Sequence, residues 1–162
     1  MRRGVRVGVD VGSVRVGVAK SDPDGLIATP VETVTRTPGY DGIERIVSII
    51  GEVDALEVVV GLPRSLDGKE RAAAGLARSF AQRLANQVHP VPVVMVDERL
   101  TTTTAQRAMS ASGRKARAQR TVVDQVAAVI ILQNALDHER STGNQPGRKV
   151  TSGGADRVEE HE

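Results

Sequence analysis

Three consecutive valines, Val58-Val59-Val60, are followed at once by Gly61 and Pro63. A strand with one wet face alternates apolar and polar side chains. This run has no polar side to offer, so it predicts a central parallel strand covered on both faces. Its flanks supply a crossover. Residues 69–86 carry Leu76, Phe80 and Leu84 at spacing i, i+4, i+8 and predict a helix, and Val93 to Val96 then completes a βαβ unit.

Upstream, VRVGVD at 5–10 and VRVGVAK at 14–20 alternate with period two about a Gly-Ser turn, which predicts a hairpin. A third strand over 25–34 contains Pro30, which lacks a ladder donor and places it at an edge. Asp41 and Glu44 form a capping box for a helix bearing Ile43, Ile46, Val47 and Ile50 on one face. After the βαβ unit, Thr101 to Thr104 cap a short helix reaching about Met109. The stretch from Ser110 to Arg120 has little apolar content and predicts a mobile loop. Thr121 then caps an apolar helix to about Asp137. From Ser141 onward Gly, Ser, Asn, Pro and mixed charge show no periodicity. The expectation is one domain over 1–140 with a disordered tail over 141–162. Antiparallel strands, a βαβ unit and a closing helix describe an α/β fold with helices packed on a mixed sheet.

Composition narrows the chemistry. The 162 residues include no cysteine, which excludes disulfides, thiolate zinc sites and Cys nucleophiles, so any metal must be held by oxygen. Tyr40 and Phe80 are the only aromatic residues, too few for a stacking platform for bases. No apolar run approaches the roughly 20 residues of a membrane span, and a cytoplasmic protein without membrane contact is expected. The net charge of +2 says little, but Arg99, Arg107, Arg114, Lys115, Arg117 and Arg120 share residues 99–120 with no acidic residue. Such a stretch suits a polyanion, and it equally suits a solvated helix face and loop.

Three acidic positions fall at element ends: Asp10 closing a strand, Asp97-Glu98 closing another, and Asp124 in the first turn of the last predicted helix. Brought together, three carboxylates would hold two divalent cations, the equipment of a phosphodiester nuclease. Each also has a plain structural explanation. Asp10 suits an Asx turn, although it lies on the strand side opposite Val5, Val7 and Val9, beside Gly8, whose missing side chain leaves space for a carboxylate. Glu98 suits a salt bridge with Arg99, and spacing does not choose between Asp97 and Glu98. Asp124 at N3 after Thr121 completes a capping box.

Taken together, GVDVGSVRVGVA at 8–19, VVVGLP at 58–63 with Asp67-Gly68, VDERLTT at 96–102 and VDQVAAVIILQ at 123–133 resemble the YqgF/RuvX family. That family is described both as Holliday junction resolvases and as nucleases maturing the 5′ end of pre-16S rRNA. The resemblance covers about residues 4–138. It implies the three-layer RNase H-like fold with a mixed five-stranded sheet in order 3-2-1-4-5. It also carries the family's catalytic and metal-binding acids onto Asp10, Glu98 and Asp124, choosing Glu98 over Asp97. The implied activity is hydrolysis of nucleic acid, pre-rRNA or branched DNA, with two Mg²⁺ or Mn²⁺ ions, by a monomer or weak homodimer.

Gly61 to Ser65 follows the central strand, and Arg64 and Ser65 are candidate phosphate contacts. Lys69, Arg71 and Arg99 are further candidates, as are Arg114, Lys115, Arg117 and Arg120 of the basic loop. Two other classes of function compete. Asp10-Val11-Gly12-Ser13 also fits the first phosphate loop of an actin/Hsp70-like ATP-binding module, which needs two such domains. A non-catalytic nucleic-acid module would not need all three acids.

Overall fold

The computed structural model describes residues 1–64, 67, 70–98 and 116–151, with the backbone alone for 116–124. In chain order the elements are β1 (Arg6–Val11), β2 (Arg15–Ser21), β3 (Ala28–Thr35), α1 (Ile43–Glu52), β4 (Glu57–Leu62), α2 (Ala72–Val88), β5 (Val93–Asp97), α3 (Ala116–Thr142) and β6 (Arg148–Val150). The six strands form one sheet in the order β3-β2-β1-β4-β5-β6. Within it β4 pairs parallel to β1 and to β5, while β1–β2, β2–β3 and β5–β6 are antiparallel. The first five strands stand in the expected order.

The valine run of β4 has the two-sided burial that its composition demands. Val58 and Val60 join Val7, Val9, Ile46, Ile49, Phe80 and Leu84 in a core beneath α1 and α2. Val59 points the other way and packs with Ala128, Ile131, Leu132 and Ala135 of α3. Fully burying side chains of this size contributes roughly 1.5–3 kcal/mol each. Two cores, one on each face, make the three layers. Pro30 sits on the edge strand where the β2–β3 register slips past Val31, so its missing N–H costs no ladder bond in the sheet interior.

Four local expectations are corrected. Helix α1 opens at Gly42 with φ +84, and Asp41 Oδ1 accepts the amide of Ile43 at 3.1 Å, so the reciprocal box with Glu44 does not form. Asp41 also pairs with Arg83. Residues 116–120, expected within a mobile loop, are helical, and Thr121 lies inside α3 rather than at its cap. Ala, Arg and Gln are strong helix formers without being apolar, so a search for apolar periodicity passes over them. Expected short-helix residues 101–109 and loop residues 110–115 lie outside the described residues.

The tail expected from Ser141 is also partly ordered. Helix α3 runs to Thr142, and Arg148–Val150 add a sixth strand on β5, with Val93↔Val150, Val94↔Lys149 and Met95↔Arg148 as partners. Gly147 makes this possible. Its φ is +66, and a Cβ there would strike the carbonyl oxygen of Met95. Pairing with a strand some fifty residues away leaves no local periodicity to read. Residues 152–162 lie outside the described residues.

Candidate active site

Alternation along β1 sends Val7, Val9 and Val11 into the α1/α2 core and leaves Gly8 and Asp10 on the α3 face. The space beside Gly8 is not left for the carboxylate, as the sequence suggested. A side chain there would meet Leu132 Cβ and the carbonyl of Ala128, so Gly8 lets α3 lie directly on the strand. Asp10 stands just beyond that contact, near the carboxyl end of β1.

Glu98 follows β5, its amide donating to the carbonyl of Leu62 at 3.3 Å. Its side chain is buried and crosses β4 at Gly61, where a Cβ would collide with Glu98 Oε2 and with Ile131 Cδ1. Gly61 therefore cradles the carboxylate. The register shows why Asp10 is its neighbour. Val9 pairs with Val60 and Gly61 with Val96, so Asp10 and Glu98 approach the same gap in β4 from either side. Burial raises the Glu98 pKa to about 7, with the negative charges of Asp10 and then Asp97 adding to the rise. A cation between such oxygens would relieve both burial and repulsion, and hard oxygen donors suit Mg²⁺ or Mn²⁺.

Asp97 faces solvent and lies 3.8 Å from Arg64, which also reaches Glu70 at 3.4 Å. Arg78 holds Glu70 more closely, at 2.6 Å, and keeps its carboxyl below the usual range. Arg64 is thus a shared cation at the rim of the carboxylate gap, and its Nε is buried without a partner among the described residues. Arg71, the other described phosphate candidate, is exposed at the N-terminus of α2 and pairs with Asp67 at 3.4 Å. Ser65, Lys69, Arg99, Arg114 and Lys115 lie outside the described residues, as do the side chains of Arg117, Arg120 and Asp124.

The backbone still places position 124. Helix α3 runs antiparallel to β1, with Glu139 against Arg6 and Leu132 and Ala128 against Gly8. From 128 back to 124 the helix covers about 6 Å, and from Gly8 to Asp10 the strand covers about 6.6 Å. Position 124 comes level with Asp10. It stands eight residues after Ala116, well past the free amides of the helix start, so the capping explanation for Asp124 no longer applies. Among the described residues no three His, Asp or Glu side chains form a metal-holding group.

Sequence reasoning missed the cradle at Gly61 and the Arg64–Asp97 contact. The Gly that ends an otherwise unbroken valine run was the available signal for the first.

Comparison with known proteins bears on this geometry. The family model described as "RuvX: Holliday junction resolvase" matches residues 4–138. A protein of Rhodococcus erythropolis named "Putative pre-16S rRNA nuclease" is 56% identical over 149 residues, covering 90% of this chain and 84% of that protein. One of the same name from Streptomyces coelicolor is 54% identical over 153 residues, covering 93% and 90%. Among solved structures, Thermus thermophilus RuvC in complex with a Holliday junction substrate is similar in fold, with TM-score 0.56 and 18% identity over 90% of this chain and 99% of that one.

Proposed function

Because this chain belongs to the RuvX family, we propose that it is a metal-dependent endonuclease acting in 5′-end maturation of pre-16S rRNA. The observation that carries the reading is the meeting of Asp10 and buried Glu98 over Gly61, at the carboxyl ends of β1 and β5. Asp10, Glu98 and Asp124 are assigned as ligands of two Mg²⁺ or Mn²⁺ ions. When bound, such ions activate water and stabilise the leaving oxygen of a phosphodiester. The protein's own part is to hold carboxylates that repel one another in a fixed array, and Gly61 and Ile131 restrict where Glu98 can go. Arg64, at the rim, is assigned to the substrate phosphate, with Ser65, Lys69, Arg71 and Arg99 beside it and Arg114, Lys115, Arg117 and Arg120 along the flanking backbone.

No described helix is long and apolar enough to cross a membrane. The working form is assigned as a cytoplasmic monomer or weak homodimer. A second reading, cleavage of branched DNA, is favoured by the description of the family model. The ATP-binding reading loses its ground, because Asp10-Val11-Gly12-Ser13 falls within the family match.

Depletion of the protein in its host, followed by mapping of 16S rRNA 5′ ends, separates the two nuclease readings. Accumulated precursor is the expected result, and normal ends with unresolved junctions would transfer the assignment to DNA. In vitro, Asp10→Asn should abolish cleavage and leave substrate binding largely intact. Turnover retained at saturating Mn²⁺ would remove Asp10 from the site.

A further inference from the structure

A groove of about 670 Å³ opens at the rim of the carboxylate gap and follows the β5–β6 edge of the sheet. Leu62, Arg64, Asp97 and Ile131 line its inner end, and Arg148 and Lys149 of β6 line its far part. Ile131 is also the side chain that, with Glu98, closes on Gly61, so the inner end of the groove lies one side chain away from the buried carboxylate. The pairing of β6 sets the direction of its cations. Val94 packs against α3, so its partner Lys149 shares the α3 face with Asp10 and Glu98. Arg148, opposite Met95, takes the other side of the same narrow edge.

Among the described residues Arg64 and Arg78 spend their charge on Glu70 and Asp97. Arg148 and Lys149 make no ion pair among those residues, and both are exposed. A strand this short stabilises the sheet little, and two adjacent cations on an edge strand also deter pairing with another chain. Edge protection alone does not account for a groove that leads from them to the carboxylates. From Glu98 back to Val94, opposite Lys149, is about 13 Å along the strand.

Resting on the nuclease reading above, we propose that this groove carries the nucleic-acid strand on one side of the scissile phosphate. Lys149 and Arg148 take its phosphates a short distance from the cut. The occupant is a polyanion because the outer lining is cationic, and it is the substrate because Asp97 and Ile131, which line the inner end, are the immediate neighbours of Glu98. The segment after α3, which by composition reads as a dispensable tail, is then part of the binding surface.

The test uses the full chain, the double variant Lys149→Ala/Arg148→Ala and a control, Lys20→Ala, on the exposed far side of β2. Probes are a precursor-rRNA fragment spanning the 5′ end of 16S rRNA and a four-way DNA junction, each also shortened from either side of its cleavage site. The double variant should bind five- to twentyfold more weakly with kcat within twofold. Its salt slope should fall by about 0.7–0.9 per lost contact. Lys149→Arg should bind like the parent. The loss should vanish when the substrate is shortened on one side and persist when it is shortened on the other.

Affinity and slope equal to those of the parent would overturn the proposal. So would a loss shared by Lys20→Ala or indifferent to which side is shortened, since that describes a general field. If the parent cleaves neither probe, the nuclease reading fails. The binding and shortening series still decides the groove.

Discussion

At the residue scale, one missing methyl group organises the site. Gly61 leaves room for Glu98 across β4, and filling that room forces either the carboxylate or Ile131 to move. Gly61→Ala should therefore abolish cleavage while costing about 1–3 kcal/mol of stability, the usual range for overpacking. Activity and urea denaturation measured together check this, and full turnover in the variant would mean that Glu98 does not work from its buried position. Glu98 itself opposes stability in the absence of metal. Its folded pKa of about 7 lies above the ordinary 4.5, so the native state keeps a proton that the unfolded chain has released. Stability from this group therefore falls as pH rises from 4.5 to about 7, by roughly 3 kcal/mol at full effect. Glu98→Gln should match the parent near pH 4 and be the more stable protein at pH 8 without metal. Denaturation curves at the two pH values read the difference, and a variant less stable at pH 8 would contradict the electrostatic account.

At the element scale, the two surprises have different causes. Helix α3 extends upstream through Ala116, Arg117, Ala118, Gln119 and Arg120, residues that propagate a helix without marking a buried face. Strand β6 exists because β5 offers an edge at Val93 to Met95 and because Gly147 can approach it. Gly147→Ala puts a Cβ on the Met95 carbonyl at a φ of +66, so it should detach β6 at a cost of about 1–3 kcal/mol. Hydrogen exchange at the β5 amides is the direct readout. Protection unchanged there would show that the strand tolerates the side chain.

At the scale of the whole molecule, α3 is clamped to the sheet near its C-terminal end. At the amino ends of the strands, Glu139 accepts from Arg2 at 2.6 Å and from Arg6 at 3.3 Å, and Arg2 also reaches Glu57 at 3.2 Å. Arg6 and Glu57 are almost fully buried. Burial lifts the Glu57 carboxyl, while Arg2 holds Glu139 below its ordinary value. Glu139→Ala leaves Arg2 and the buried Arg6 to share the single carboxylate of Glu57 and should cost about 3–5 kcal/mol. If the clamp also sets how far α3 slides along β1, cleavage should fall by more than the unfolded fraction explains. Thermal melts paired with initial rates at a temperature where the variant is folded distinguish the two. The layered α/β architecture, the central strand, the edge strand and the blocks carrying Asp10, Glu98 and Asp124 were all legible in the chain, because periodicity and motif are local properties. Gly61 as a cradle, Gly8 as a seat for α3, the clamp at Glu139 and the groove beside β6 were decided only by tertiary structure. Each joins residues that the chain separates by tens of positions, and only the packed sheet brings them into contact.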